Sequence, residues 1–311
     1  MRARRLRSRL GLTLAAVVAL TLVALTACSP SASTPRAEAA TPTGARTVSV
    51  VTSTSVYGDI ARTVGGAGVR VTSIVTDPAA DPHSFEASAQ TVLALSRADV
   101  VIENGGGYDP FMDTLLAAAS KKPAAVLNAV QLAGKSGPGL NEHVWYDFPS
   151  IRALTRALVQ ALSKAAPAKA DSFTANAAAF TDQLATLERT AAQIAAGGTR
   201  TPVAITEPLP LYLLQAAGLV NKTPPEFAKA IEEGTDVSPR ILQATLDLFT
   251  NRDVAALVYN EQTSGPETTK VLRAAAANGI PVVPVTETLP RAATYISWMT
   301  ANLAALKKAL R

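Results

Sequence analysis

Cysteine occurs once in the 311 residues, at Cys28, and histidine twice, at His83 and His143. A lone cysteine excludes an internal disulfide framework. There is no HExxH, no GxSxG and no poised nucleophile, so the usual marks of a hydrolase are missing. The one glycine run, Gly105-Gly106-Gly107, lacks the GxGxxG spacing and no lysine follows it. It reads as a turn or a close backbone approach, not as a nucleotide loop. A confident membrane span is absent too, because the apolar run 10–25 is too short and wrongly flanked.

What that run does fit is a secretion signal. Arg2, Arg4, Arg5, Arg7 and Arg9 precede it as a basic leader, and it ends in Leu25-Thr26-Ala27-Cys28. This ending resembles the lipobox of bacterial lipoproteins, in which the cysteine becomes the lipidated first residue after cleavage. Residues 1–28 are therefore expected to be a signal peptide, with Cys28 carrying a lipid anchor. Their removal takes five of the 29 basic residues and none of the 24 acidic ones, so the formal charge of +5 becomes zero. The apparent basicity is an address, and no nucleic-acid partner is implied. Residues 29–46, rich in Ser, Thr, Pro and Ala, cannot build a core and read as a flexible tether.

From residue 47 short β-rich runs alternate with amphipathic helices. Strands are predicted at 47–51, 69–75, 99–103 and 124–127, and helices at 56–64, 87–97 and 111–119. From 151 to about 194 the chain is nearly all alanine, leucine and polar helix formers, interrupted only at Pro167. Phe173, Phe180, Leu184 and Leu187 fall on one stripe, which predicts a long helix with a buried face. The grammar then repeats, with strands at 202–206, 254–259 and 281–285 and helices at 209–217, 238–250, 266–278 and 293–310. The fold class expected is α/β: two lobes, each with a mostly parallel sheet flanked by helices, joined by one long helix. The divisions are 47–166 for the first lobe, 167–198 for the linking helix and 199–311 for the second lobe.

Both histidines stand in short polar turns, Asp81-Pro82-His83-Ser84 and Asn141-Glu142-His143-Val144. Imidazole is the commonest neutral nitrogen ligand of a transition metal, and Pro82 stiffens the backbone that carries His83. In parallel sheets, ligands bind where loops gather at the carboxyl ends of the strands. This singles out Glu207, Glu287 and Glu261, each just after a predicted strand. Glu142, beside His143, points the other way if its segment is extended, and is left outside the ligand set.

Six short motifs, in order, carry a family resemblance over 47–311: Asp81-Pro82-His83, the run from Ala98 to Gly105, His143-Val144-Trp145, Glu207 before a helix, Asn260-Glu261-Gln262, and a last strand followed by Glu287. Together they resemble the substrate-binding lipoproteins of manganese or zinc ABC transporters, whose two lobes are linked by a single long helix. That family builds its metal site from four side chains, two from each lobe. The resemblance implies His83, His143, Glu207 and Glu287 as ligands, with Asp81, Asn104, Trp145 and Glu261 around them. The third position is glutamate in manganese-type members and histidine in many zinc-type members. The fourth is more commonly aspartate, and the longer Glu287 leaves Glu261 open as the alternative.

The implied activity is capture of one divalent transition metal, manganese or zinc, as transported ligand, and its delivery to an ABC permease with its ATPase. The chain is expected on the outer face of the cell membrane, held by the lipid at Cys28, as a monomer and not an enzyme. Two imidazoles with two carboxylates suit manganese or iron better than a site of three histidines would, while zinc accepts the same set and binds more tightly. The histidine-rich acidic loop of many zinc-specific members is missing, which leans the reading towards manganese. The alternative class is a surface adhesin with a structural metal; a zinc hydrolase fits less well.

Overall fold

The computed structural model describes residues 46–78, 85–86, 88–197 and 200–311. The expectations for the signal peptide, Cys28, most of the tether, Asp81 and His83 lie outside the described residues.

Val48–Thr54 (β1) is a run of valines with small hydroxyl residues, buried along nearly its whole length, as a central strand covered on both faces requires. It pairs in parallel with β2 (Val69–Val75) on one side and with β3 (Val100–Glu103) on the other. β4 (Ala125–Asn128) adds to β3, giving the order β2-β1-β3-β4. Helices α1 (Ser55–Gly65), α2 (Ala89–Ser96) and α3 (Phe111–Ala118) make the crossovers, and a single turn, α4 (Ala129–Leu132), follows β4. The glycine run after β3 is a turn. Gly105, at φ +76°, lies so close to Asn128 that a Cβ would fall 2.2 Å from its amide nitrogen.

The predicted helical stretch from 151 to 194 is two helices, α5 (Phe148–Ala165) and α6 (Ala170–Gly197). Pro167 disfavours helical geometry at the residue before it, and Ala166 sits at φ −140°, ψ 73°. A short turn, Pro167–Lys169, reverses the chain. α5 then packs back along α6, where the Arg152 guanidinium donates to both carboxylate oxygens of Glu188 at 3.0 and 2.7 Å. The linking helix is therefore α6 alone, whose 28 residues span about 42 Å.

Its buried residues are Phe173, Ala177, Phe180, Leu184, Leu187, Ala191 and Ile194, spaced alternately by four and three. That stripe is covered by α1 and α5 from the first lobe and by α7 (Leu211–Ala216) and α11 (Tyr295–Ala309) from the second. One apolar core consequently runs from Val48 through α6 to Leu306. Each sheet carries a second apolar layer on its other face.

The second sheet has the order β6-β5-β7-β8, all parallel, from β5 (Pro202–Ile205), β6 (Val220–Asn221), β7 (Leu257–Asn260) and β8 (Val282–Val285). α9 (Pro239–Thr250) and α10 (Pro266–Ala277) complete the lobe. Between β6 and α9 lies an element the periodicity did not predict, α8 (Pro225–Glu232), anchored by Phe227, Ala228 and Ile231. The order in the two sheets is the same. Both therefore gather their loops at the carboxyl ends of the central strands.

Candidate metal centre

His143 ends an irregular segment that leads into the tight turn Val144–Tyr146, and it is 1% exposed. Its ring Nδ1 lies 2.7 Å from Asn141 Oδ1, and its backbone N–H donates to the same oxygen at 3.1 Å. The orientation of the Asn141 amide is set independently, because its Nδ2 donates to the carbonyl of Pro208 at 3.0 Å. Oδ1 is thus an acceptor, Nδ1 carries the proton, and the lone pair of the neutral ring is on Nε2, the tautomer a metal ligand needs. The rings of Trp145 and Tyr108 meet the imidazole edge-on at 5.1 and 5.9 Å. Trp145 is buried, and its carbonyl accepts from the Tyr295 hydroxyl at 2.7 Å.

Asn104, directly after β3, clamps this turn. Its Nδ2 donates to the carbonyl of Glu142 at 2.9 Å, and its Oδ1 accepts from the Tyr57 hydroxyl. The segment around Glu142 is not extended: the Val144 N–H donates to the Glu142 carbonyl at 2.6 Å. Glu142 therefore does not point away from the site, as strand alternation would have it. Ligand atoms of Glu142, His143 and Glu232 lie within 4.8 Å of one another.

In the second lobe Glu207 follows β5 and is 2% exposed, and Glu287 follows β8. Both are held by one amide. Asn260 Nδ2, at the end of β7, donates to Glu207 Oε2 at 2.6 Å and to Glu287 Oε1 at 3.0 Å. Asn260 is itself 1% exposed, and its backbone N–H donates to Thr206 Oγ1 at 3.0 Å. Gln262 Oε1 accepts from the backbone N–H groups of Glu287 and Thr288, and Gln262 Nε2 donates to the carbonyl of Pro78 in the first lobe. Glu261 is exposed, and its backbone N–H donates to the carbonyl of Val285 at 3.1 Å. Among the described candidates, then, His143, Glu207 and Glu287 are brought to the strand ends, and Glu261 is turned to solvent.

Glu232, the last residue of α8, was not a sequence candidate. Its Oε1 lies 3.6 Å from His143 Nε2 and its side chain is 19% exposed. Burial, and then the charges of Glu142, Glu207, Glu287 and Glu233, push its carboxyl up to about 8. One imidazole and several carboxylates withdrawn from water form a set that a divalent cation stabilises.

The two lobes are stitched together around these residues. The Tyr146 hydroxyl donates to the carbonyl of Thr286 at 2.8 Å, and the Tyr212 hydroxyl to the carbonyl of Asn141 at 2.8 Å.

Comparison with known proteins agrees with this architecture. The manganese-binding lipoprotein MntA of Bacillus subtilis (strain 168) is 27% identical over 238 residues, covering 74% of this chain and 76% of that protein. The periplasmic zinc-binding protein TroA of Treponema pallidum superposes with a TM-score of 0.71 at 21% identity, over 85% of this chain and 99% of that one. A crystal structure of ZnuA gives 0.70 at 22% identity, over 86% and 100%. The family model described as ZnuA, zinc-uptake complex component A periplasmic, matches residues 50–309. A match over that length leaves little of the folded chain outside it, and the chain belongs to the ZnuA family.

Proposed function

We propose that the chain is an extracytoplasmic solute-binding protein that captures one divalent transition-metal ion between its two lobes and delivers it to an ABC permease with its ATPase. The observation that carries this reading is the pairing of a tautomer-locked imidazole from the first lobe with the Glu207–Asn260–Glu287 group of the second. His143, Glu207 and Glu287 serve as ligands, and His83 supplies the second imidazole. The names of the chain's relatives support the cargo class: MntA is manganese-binding and TroA zinc-binding.

The ion acts by neutralising charge that the fold has withdrawn from water. Glu207 and Glu287 share a single amide donor, and a cation between them and His143 relieves their repulsion. The ties from Tyr146, Tyr212 and Gln262 across the lobes oppose a wide hinge swing. Loading and release thus proceed by a small lobe shift or a local loop rearrangement. Manganese is the favoured cargo because two carboxylates beside two imidazoles suit it better than a site of three histidines would. The protein works as a monomer on the outer face of the membrane, held by lipid at Cys28. Equilibrium dialysis of the chelator-stripped protein against manganese and zinc tests the reading. One ion bound per chain, releasable without unfolding, is the expected result, and a metal that leaves only on denaturation favours the structural-metal adhesin instead.

A further inference from the structure

Glu232 and Glu233 are adjacent in sequence and opposite in circumstance. Glu233 is exposed and lies 3.7 Å from Lys229, one helical turn back. Glu232 falls one turn after the buried Ala228, on the inward face of α8, and its Oε1 is buried with no hydrogen-bond partner among the described residues. It also ends its helix, where the backbone dipole disfavours a negative charge. Helix position, burial and the missing donor all disfavour a carboxylate here. A bound cation offsets all three.

The distance to His143 points the same way. A separation of 3.6 Å between Glu232 Oε1 and His143 Nε2 is too long for a hydrogen bond. Two ligands about 2.1 Å from one tetrahedral metal stand about 3.4 Å apart, close to what is seen. We propose, resting on the carrier reading above, that Glu232 is a further metal-contacting residue and that this third carboxylate biases the site towards manganese over zinc. Zinc is satisfied by four ligands, whereas manganese accepts more donors and prefers oxygen. An added carboxylate therefore strengthens manganese binding more than zinc binding.

The test is competitive titration of the full metal-stripped protein with manganese and with zinc, for wild type, Glu232→Gln, Glu232→Asp and the exposed control Glu233→Gln, with circular dichroism to confirm folding. The proposal expects Glu232→Gln to weaken manganese at least tenfold and zinc less than threefold, with partial recovery in Glu232→Asp and no change in Glu233→Gln. Equal losses for the two metals, or no loss for either, overturn it. A wild type that binds neither metal overturns the carrier reading itself. A wild type that binds both alongside an unchanged Glu232→Gln overturns only the role of Glu232. Should Glu232→Gln fail to fold, the manganese-loaded wild-type crystal decides. Anomalous scattering must place a Glu232 oxygen about 2.2 Å from the ion, and a separation beyond about 3.5 Å rejects the contact.

Discussion

The Tyr146 hydroxyl donates to the carbonyl of Thr286 at 2.8 Å, joining residues 140 positions apart in different lobes, next to the predicted ligand Glu287. Both partners are tied into the site by the chain itself. Tyr146 lies three residues after His143, and Thr286 immediately precedes Glu287.

Tyr146→Phe keeps the ring and removes the bond, leaving the half-buried Thr286 carbonyl without this donor and the buried Asn302 amide, 3.4 Å away, without its acceptor. A loss of about 1–3 kcal/mol in unfolding free energy is expected from these unsatisfied groups. Urea denaturation measures it, and faster metal release in stopped-flow chelation should accompany it. Unchanged stability and release would show that the lobes are held elsewhere.

Asn141→Ala removes the acceptor that places the proton on Nδ1 of His143 and the donor that serves Pro208. Partners that orient a ligating histidine are worth about 10–100-fold in metal affinity. A drop of that size in isothermal titration, with the circular dichroism spectrum intact, is the predicted outcome. An affinity within twofold of wild type contradicts the tautomer argument.

The acidity of Glu232 gives the metal-free protein a defined pH response. Its carboxyl is raised from 4.5 to about 8 in the folded chain, so between those values the folded state holds a proton that the unfolded state has released. The contribution to stability is whole below about 4.5 and is lost as pH rises through about 8. Melting of the metal-free wild type should accordingly fall between pH 5 and pH 9 relative to Glu232→Gln, whose curve lacks this component. Parallel curves would refute the assignment.

Much of this was legible in the sequence for physical reasons. Parallel strands buried on both faces are near-continuous apolar runs, so β1, β3, β5 and β7 were each foreseen to within a few residues. Ligand candidates followed from the rule that loops gather at strand ends, which singled out Glu207, Glu287 and Glu261, the last of which the structure turns to solvent. The helix break at Ala166 was blurred by similar alanine-rich composition on either side of Pro167, and the packing of α5 along α6, with the Arg152–Glu188 pair between them, shows that the chain turns back. α8 escaped because Pro224 and Pro225 read as loop and its eight residues are too few for a clear period. Glu232 was invisible with it, since its meaning comes from His143, 89 positions earlier in the chain. Glu142 was set aside on strand alternation, and the backbone turn at Val144 removed that premise.

The anchor makes a separate prediction, independent of the metal. Cys28→Ser leaves the signal sequence but removes the thiol to be acylated, so the protein should move from the membrane fraction to the soluble extracytoplasmic fraction. Retention in the membrane fraction would argue against lipidation at Cys28.

The central claim is that side chains from both lobes hold a single ion. Isothermal titration with manganese and zinc, on wild type, His143→Ala and Glu207→Ala, tests it most directly. One binding event per chain, removed by His143→Ala and weakened at least tenfold by Glu207→Ala in the same event, is the predicted result. Binding that survives either substitution at wild-type affinity would contradict a shared site between the lobes.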